Sequence, residues 1–146
     1  DLYHNPANLF VAGFIGSPAM NFLDGKISGI SDQTIEFELN NQQKIQIPCQ
    51  PGEQTNVGSS AKAGVRPEHL ELTEDSDSIL RGKVFAVERL GGETYLYVQT
   101  EKYNELTVHA SGDKVISVGD LVFIGFSMED CHLFNGQGQI FDKLAA

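Results

Sequence analysis

Positive charge is scarce in this sequence. Lysine and arginine number 10 against 20 aspartates and glutamates, a formal net charge of -10. Phosphate recognition needs a basic face, so the balance argues against a nucleic-acid partner and against an anionic membrane surface. Cysteine is scarce as well. Cys49 and Cys131 stand far apart in no CxxC arrangement, which offers no disulfide framework and fits a reduced, cytosolic setting. No apolar run nears the roughly 18 residues of a membrane span, and no signal-peptide pattern is present. Phosphate-loop, GxGxxG, HExxH and GxSxG patterns are all missing.

What is present is an ordinary globular composition, 40% hydrophobic and 21% charged over 146 residues. That length holds one compact core or two small packed modules. The sequence starts in mid-element at Asp1, which suggests a piece of a longer protein. Asn5-Pro6 reads as a helix start, the run Ala7 to Ile15 as the helix, and Gly16-Ser17-Pro18 as its stop. Leu9, Phe10, Val11, Ala12, Phe14 and Ile15 leave almost no polar face beyond Asn8. A short helix apolar all round expects partners on several sides. Core of this domain is one reading; a face once covered by a preceding domain is the favoured one.

From Met20 the periodicity changes to two. Ile35, Phe37 and Leu39 alternate with Thr34, Glu36 and Glu38, and Asn40-Asn41 turns the chain into Ile45 and Ile47. Gln50 to Ser60 reads as a loop, and Glu74 to Ser78 as a short acidic linker. Ile79 to Leu90 is a long strand turned at Gly91-Gly92, followed by alternating Tyr95 to Gln99, then Leu106 and Val108. Leu121 to Phe126 and Cys131 to Phe134 complete the pattern. The expectation is an all-β fold with one N-terminal helix, a barrel or sandwich.

The two halves repeat. Gly25-Lys26-Ile27 aligns with Gly82-Lys83-Val84, Thr34 to Phe37 with Thr94 to Tyr97, Gly58 with Gly119, and Gly64-Val65 with Gly125-Phe126. Glu68 aligns with Glu129, and after a two-residue insertion His69-Leu70 with His132-Leu133. Each unit is then a barrel of about five strands, an OB-like module, with Gly64, Gly82 and Gly125 at corners or bulges.

Gly64-Val65-Arg66-Pro67-Glu68-His69-Leu70 has the look of a site, with Arg66, Glu68 and His69 close together. It equally reads as a corner in which Pro67 fixes a turn and Arg66 pairs with a carboxylate. The second copy keeps Gly, Glu and His-Leu but has Ser127 and Met128 where Arg66 and Pro67 stand, which favours the corner and no catalytic residue. His69, His132, Cys49 and Cys131 have no zinc-ligand spacing except the adjacent Cys131-His132, a poor chelate, so no metal is expected.

Residues 5–23, the heptapeptide Gly64 to Leu70, and Cys131-His132-Leu133-Phe134 resemble the C-terminal part of the ATP-binding subunit of maltose-type (carbohydrate-uptake) ABC importers. By that resemblance residues 1–18 end a nucleotide-binding domain, and 19–146 form a regulatory region of two OB-like (TOBE) modules, about 19–76 and 77–146. It implies a parent ATPase using ATP and Mg, with every catalytic motif before Asp1 and no cofactor in this stretch. It also implies a homodimer, contact with membrane subunits through the ATPase domain, a place on the inner face of the plasma membrane, and an inhibitory partner from the sugar phosphotransferase system. Phe22, Gly58, Gly64, Gly82 and Glu88 match that regulatory surface, while Leu9 stands where the maltose-type protein has Arg. Arg66, Pro67, Glu68 and His69 read as family signature. The alternative is an oxyanion- or solute-sensing TOBE pair, with donors from Arg66, His69 and Lys83, against which the net charge of -10 stands.

Overall fold

The computed structural model describes residues 19–52, 55–103, 105–111 and 115–142. The N-terminal helix expected within residues 1–18 lies outside the described residues. The described chain is mostly strand: β1 (Asn21–Ile30), β2 (Thr34–Leu39), β3 (Lys44–Pro48), β4 (Ser60–Val65), β5 (Glu71–Thr73), β6 (Leu80–Leu90), β7 (Glu93–Thr100), β8 (Glu105–Ser111), β9 (Leu121–Gly125) and β10 (His132–Phe134). Three single 3-10 turns, Pro67–His69, Asp75–Asp77 and Met128–Asp130, are its helical elements.

The strands form two five-stranded sheets, ordered β10-β4-β1-β2-β3 and β5-β9-β6-β7-β8. All pairs are antiparallel, and the two orders are the same once β1–β4 are superposed on β6–β9. The fifth strand of each sheet is exchanged. β5 follows β4 in sequence yet pairs with β9, and β10 follows β9 yet pairs with β4. The compact units are therefore β1–β4 with β10, and β5–β9. The sequence-based division at residues 76 and 77 cuts elsewhere, because strand pairing and not chain order assigns β5. The acidic stretch Glu74 to Ser78 joins β5 to β6 inside the second unit.

In β2, β3, β7 and β8 the alternation in the sequence becomes one buried and one more open face, whereas β10 is buried throughout. Ile35, Phe37, Leu39, Ile45 and Ile47 are buried in the first unit, and Leu96, Val98, Leu106 and Val108 in the second. The ladders correct two details of the repeat. Phe37 faces Ile45 and Val98 faces Leu106, so Phe37 corresponds to Val98, not to Tyr97. A one-residue slip would have turned the buried face outward. At the end of the repeat His132 faces Gly64 and Glu71 faces Gly125. No insertion is needed: His132 corresponds to Glu71, and His69, in a 3-10 turn, corresponds to Asp130.

The glycines serve different ends from those expected. The bulges fall at Ser28 and Phe85, between Ile27 and Gly29 and between Val84 and Ala86, and not at Gly64, Gly82 or Gly125. Gly82 is a point of close approach, since a Cβ there would sit 2.5 Å from the Gln99 carbonyl oxygen and 2.7 Å from Val98 Cγ1. Gly25 holds the matching place against the Glu38 carbonyl. Gly58 and Gly119 occupy turns with φ +95° and +98°, and each donates its N–H at 2.7 Å to the matching carbonyl, Ile27 O or Val84 O.

Each sheet curls so that the 3-10 turn ahead of its fifth strand lies against its third strand. Met128–Asp130 meets β3 in the first unit, and Pro67–His69 meets β8 in the second. In the first unit the Gln50 N–H donates to Asp142 O at 2.8 Å, tying the end of β3 to the segment after β10. Two five-stranded antiparallel sheets of this kind accord with the OB-like modules expected from the repeat.

Gly82→Ala should destabilise the protein by about 1–3 kcal/mol, the usual cost of overpacking. Gly92→Ala, where a Cβ meets nothing within 4 Å, should cost far less. Urea denaturation followed by circular dichroism compares them; equal costs would contradict the close-approach account. A second expectation concerns Cys49, whose thiol burial pushes up to about 11 from 9.0. The unfolded chain loses that proton first, so the contribution to stability is intact below pH 9.0 and lost as pH rises to about 11. The stability gap between the unsubstituted chain and Cys49→Val should shift towards the variant over that window. A gap independent of pH would contradict it.

Candidate functional site

The heptapeptide Gly64 to Leu70 spans the passage from one unit to the other. β4 ends at Val65, and the second unit begins at Arg66. Arg66 is extended (φ -67°, ψ 148°) and Pro67 opens the 3-10 turn, whose N–H groups close on Arg66 O (from His69, 2.9 Å) and Pro67 O (from Leu70, 3.3 Å). Arg66 is 1% exposed, among the most deeply buried side chains of the described residues. Pro67 and Leu70 are buried too, Glu68 is exposed and His69 half-buried. A guanidinium this enclosed supports a fold; the trio presents no open pocket with a nucleophile beside a base.

The five residues matched to a regulatory surface divide between the units: Phe22, Gly58 and Gly64 in the first, Gly82 and Glu88 in the second. Phe22 and Gly64 are cross-strand partners. A Cβ on Gly64 would collide with Met20 Sδ and come within 3.1 Å of Phe134 Cε2, while the Phe22 and Phe134 rings meet edge to face at 5.9 Å. Both residues thus belong to the packing of β10. Gly64 and Gly82 are buried, so substitution there acts first on packing; Gly58 and Glu88 are exposed.

Glu88 has company that sequence reasoning missed. On the outer face of β6–β8, Tyr95 lies between Glu88 and His109, and Tyr97 between Ala86 and Thr107. The Tyr97 hydroxyl donates to Glu88 Oε1 at 3.3 Å, the Tyr95 and His109 rings meet at 5.1 Å, and His109 Nε2 is 3.7 Å from Glu93 Oε1. Phe85, thrown outward by the bulge, reaches Tyr97 at 6.4 Å. Loss of hydration raises the pKa of both phenols, reinforced by Glu93, Glu68 and Glu88 at Tyr95 and by Glu88 at Tyr97. They remain neutral donors. The period-two spacing of Tyr95 and Tyr97 was the available signal; it reads equally as strand alternation.

A second polar cluster lies on the outer face of the first unit's sheet. Ser28 Oγ donates to Glu36 Oε1 at 2.8 Å and Gln46 Nε2 to Glu36 Oε2 at 2.6 Å. These two bonds, with Lys44 nearby, lower the Glu36 pKa. An ionised carboxylate holding a serine hydroxyl, without histidine, is no activated nucleophile. An open cleft of about 1310 Å³ in the first unit is lined by amides and hydroxyls such as Gln50, Asn56, Ser59, Asn135 and Gln139, with Asp142 the one ionisable side chain among the described lining residues. Among the described residues no three His, Cys, Asp or Glu side chains gather as a metal site. No described helix is long and apolar enough to cross a membrane.

Comparison with known proteins gives this architecture its kin. Residues 16–70 match the MalK OB fold domain family and residues 63–134 the TOBE domain family. The chain is 39% identical over 145 residues to the maltose/maltodextrin import ATP-binding protein MalK of Yersinia pestis bv. Antiqua (strain Antiqua), and 40% identical over 145 residues to that of Salmonella typhi. Each alignment covers 99% of this chain and 39% of the relative, so the chain spans about two fifths of their length. Among solved structures, the cytoplasmic molybdate-binding protein ModG, with molybdate bound, aligns with TM-score 0.64 and 15% identity over 77% of this chain and 94% of its own. That likeness is one of fold. The tandem matches and the identity along nearly the whole length make the chain a member of the MalK-type OB-fold and TOBE family, the domain pair found in maltose/maltodextrin import ATP-binding proteins.

Proposed function

We propose that this chain is the regulatory and dimerisation region of the ATP-binding subunit of an ABC importer for a sugar or related solute, and is itself non-catalytic. The observation that carries the reading is the 39% identity over 99% of the chain to maltose/maltodextrin import ATP-binding proteins, with both family matches in tandem. ATP and Mg would be handled by a nucleotide-binding domain elsewhere in the protein, and membrane subunits would be contacted through that domain at the inner face of the plasma membrane. The region would hold two copies together and receive an inhibitory regulator of the phosphotransferase type. Phe22, Gly58, Gly64, Gly82 and Glu88 are the positions proposed to matter for that regulation, the buried glycines through packing.

The second reading, an oxyanion sensor, has the fold likeness to molybdate-bound ModG in its favour. Its proposed donors are Arg66, His69 and Lys83; Arg66 is fully enclosed, while Lys83 lies exposed on β6. The net charge of -10 repels oxyanions.

Sedimentation of the chain at high micromolar concentration should show a dimer; a clean monomer would count against the first reading. Calorimetry with molybdate and sulfate should give no binding tighter than about 100 µM, an affinity of roughly 5.5 kcal/mol. Tighter binding would favour the second.

A further inference from the structure

We propose that the chain opens and closes as two separate cooperative units, each keeping the fifth strand it pairs with and not the one that follows it in sequence. In chain order the second unit is then an insert between β4 and β10, the two strands of a hairpin of the first.

Three observations carry this. The second unit is one continuous stretch, Arg66–Ser127, whereas the first is split on either side of it. The chain leaves the first unit from β4 and returns on β10, and these are antiparallel neighbours with Gly64 opposite His132. Joining them directly would make an ordinary hairpin. No strand belongs to both sheets, and each unit has its own buried side chains, Ile27, Phe37 and Phe134 in the first and Val84, Val98 and Ile124 in the second.

β5 and β10 have three residues each, too few to persist alone, so each depends on the strand beside it. Local opening follows contiguous packed units of this kind. Strain or a partner acting on one unit then changes the exposure of that unit's exchanged strand alone.

Hydrogen exchange read by mass spectrometry on the full chain tests this with two matched substitutions, Gly82→Ala in β6 and Gly25→Ala in β1, each placing a Cβ against a carbonyl across the ladder. Gly82→Ala should raise the opening of β5–β9 by about tenfold or more. β1–β4 and β10 should change by less than about twofold. Gly25→Ala should do the converse, β10 opening with β4 while β5 stays protected. Equal loss of protection in both units, or β5 moving with β4 and β10 with β9, overturns the proposal. Should a variant unfold outright, the unsubstituted chain in rising urea decides. Two opening isotherms, with β10 on that of β1–β4, support it, and a single isotherm for all ten strands overturns it.

Discussion

The pairing of β10 with β4 is the contact on which the first unit rests. It brings His132 opposite Gly64 and lays Phe134 over the space that a side chain at Gly64 would fill. Phe134 is fully buried and packs with Met20, Phe22 and Ile140. Beyond it, Phe141 N–H returns to Leu133 O, and Gln50 N–H reaches Asp142 O, each at 2.8 Å. Without β10 the fourth strand would be an open edge above an uncovered apolar face, which native sheets avoid. β5 on β9 serves the second unit in the same position, with Glu71 opposite Gly125.

This exchange changes what the heptapeptide is. Arg66-Pro67-Glu68-His69 looks like a cluster of functional groups, and its neighbours make it the crossing from one unit to the next. The buried arginine and the proline-initiated turn lead into β5, which pairs with β9. Polar side chains on the sheet faces pair locally, as in the Tyr97–Glu88 bond and the Ser28–Glu36–Gln46 set.

Of the candidate site, the sequence showed identities and little of their roles. Glu88 was legible; the Tyr95, Tyr97, Phe85 and His109 side chains around it were not, because only the β6–β7–β8 register sets them side by side. Gly64 and Gly82 were legible as glycines needed by strands. Their reasons, a methionine and a phenylalanine at one and a facing carbonyl at the other, are contacts across chain distances that no local pattern encodes.

What the sequence determined by itself was the all-β class, the two copies of a unit, and most of the strands and turns. Period-two burial and glycine placement are local consequences of residue type. Only tertiary structure decided the register of the repeat, the bulges at Ser28 and Phe85, and above all the ownership of β5 and β10. Each is a three-residue strand that could pair with either neighbour by pattern alone. Its partner is chosen by long-range fit, where Phe134 closes over Gly64 and Met20, and Thr73 and the Asp77 carbonyl close over Gly125.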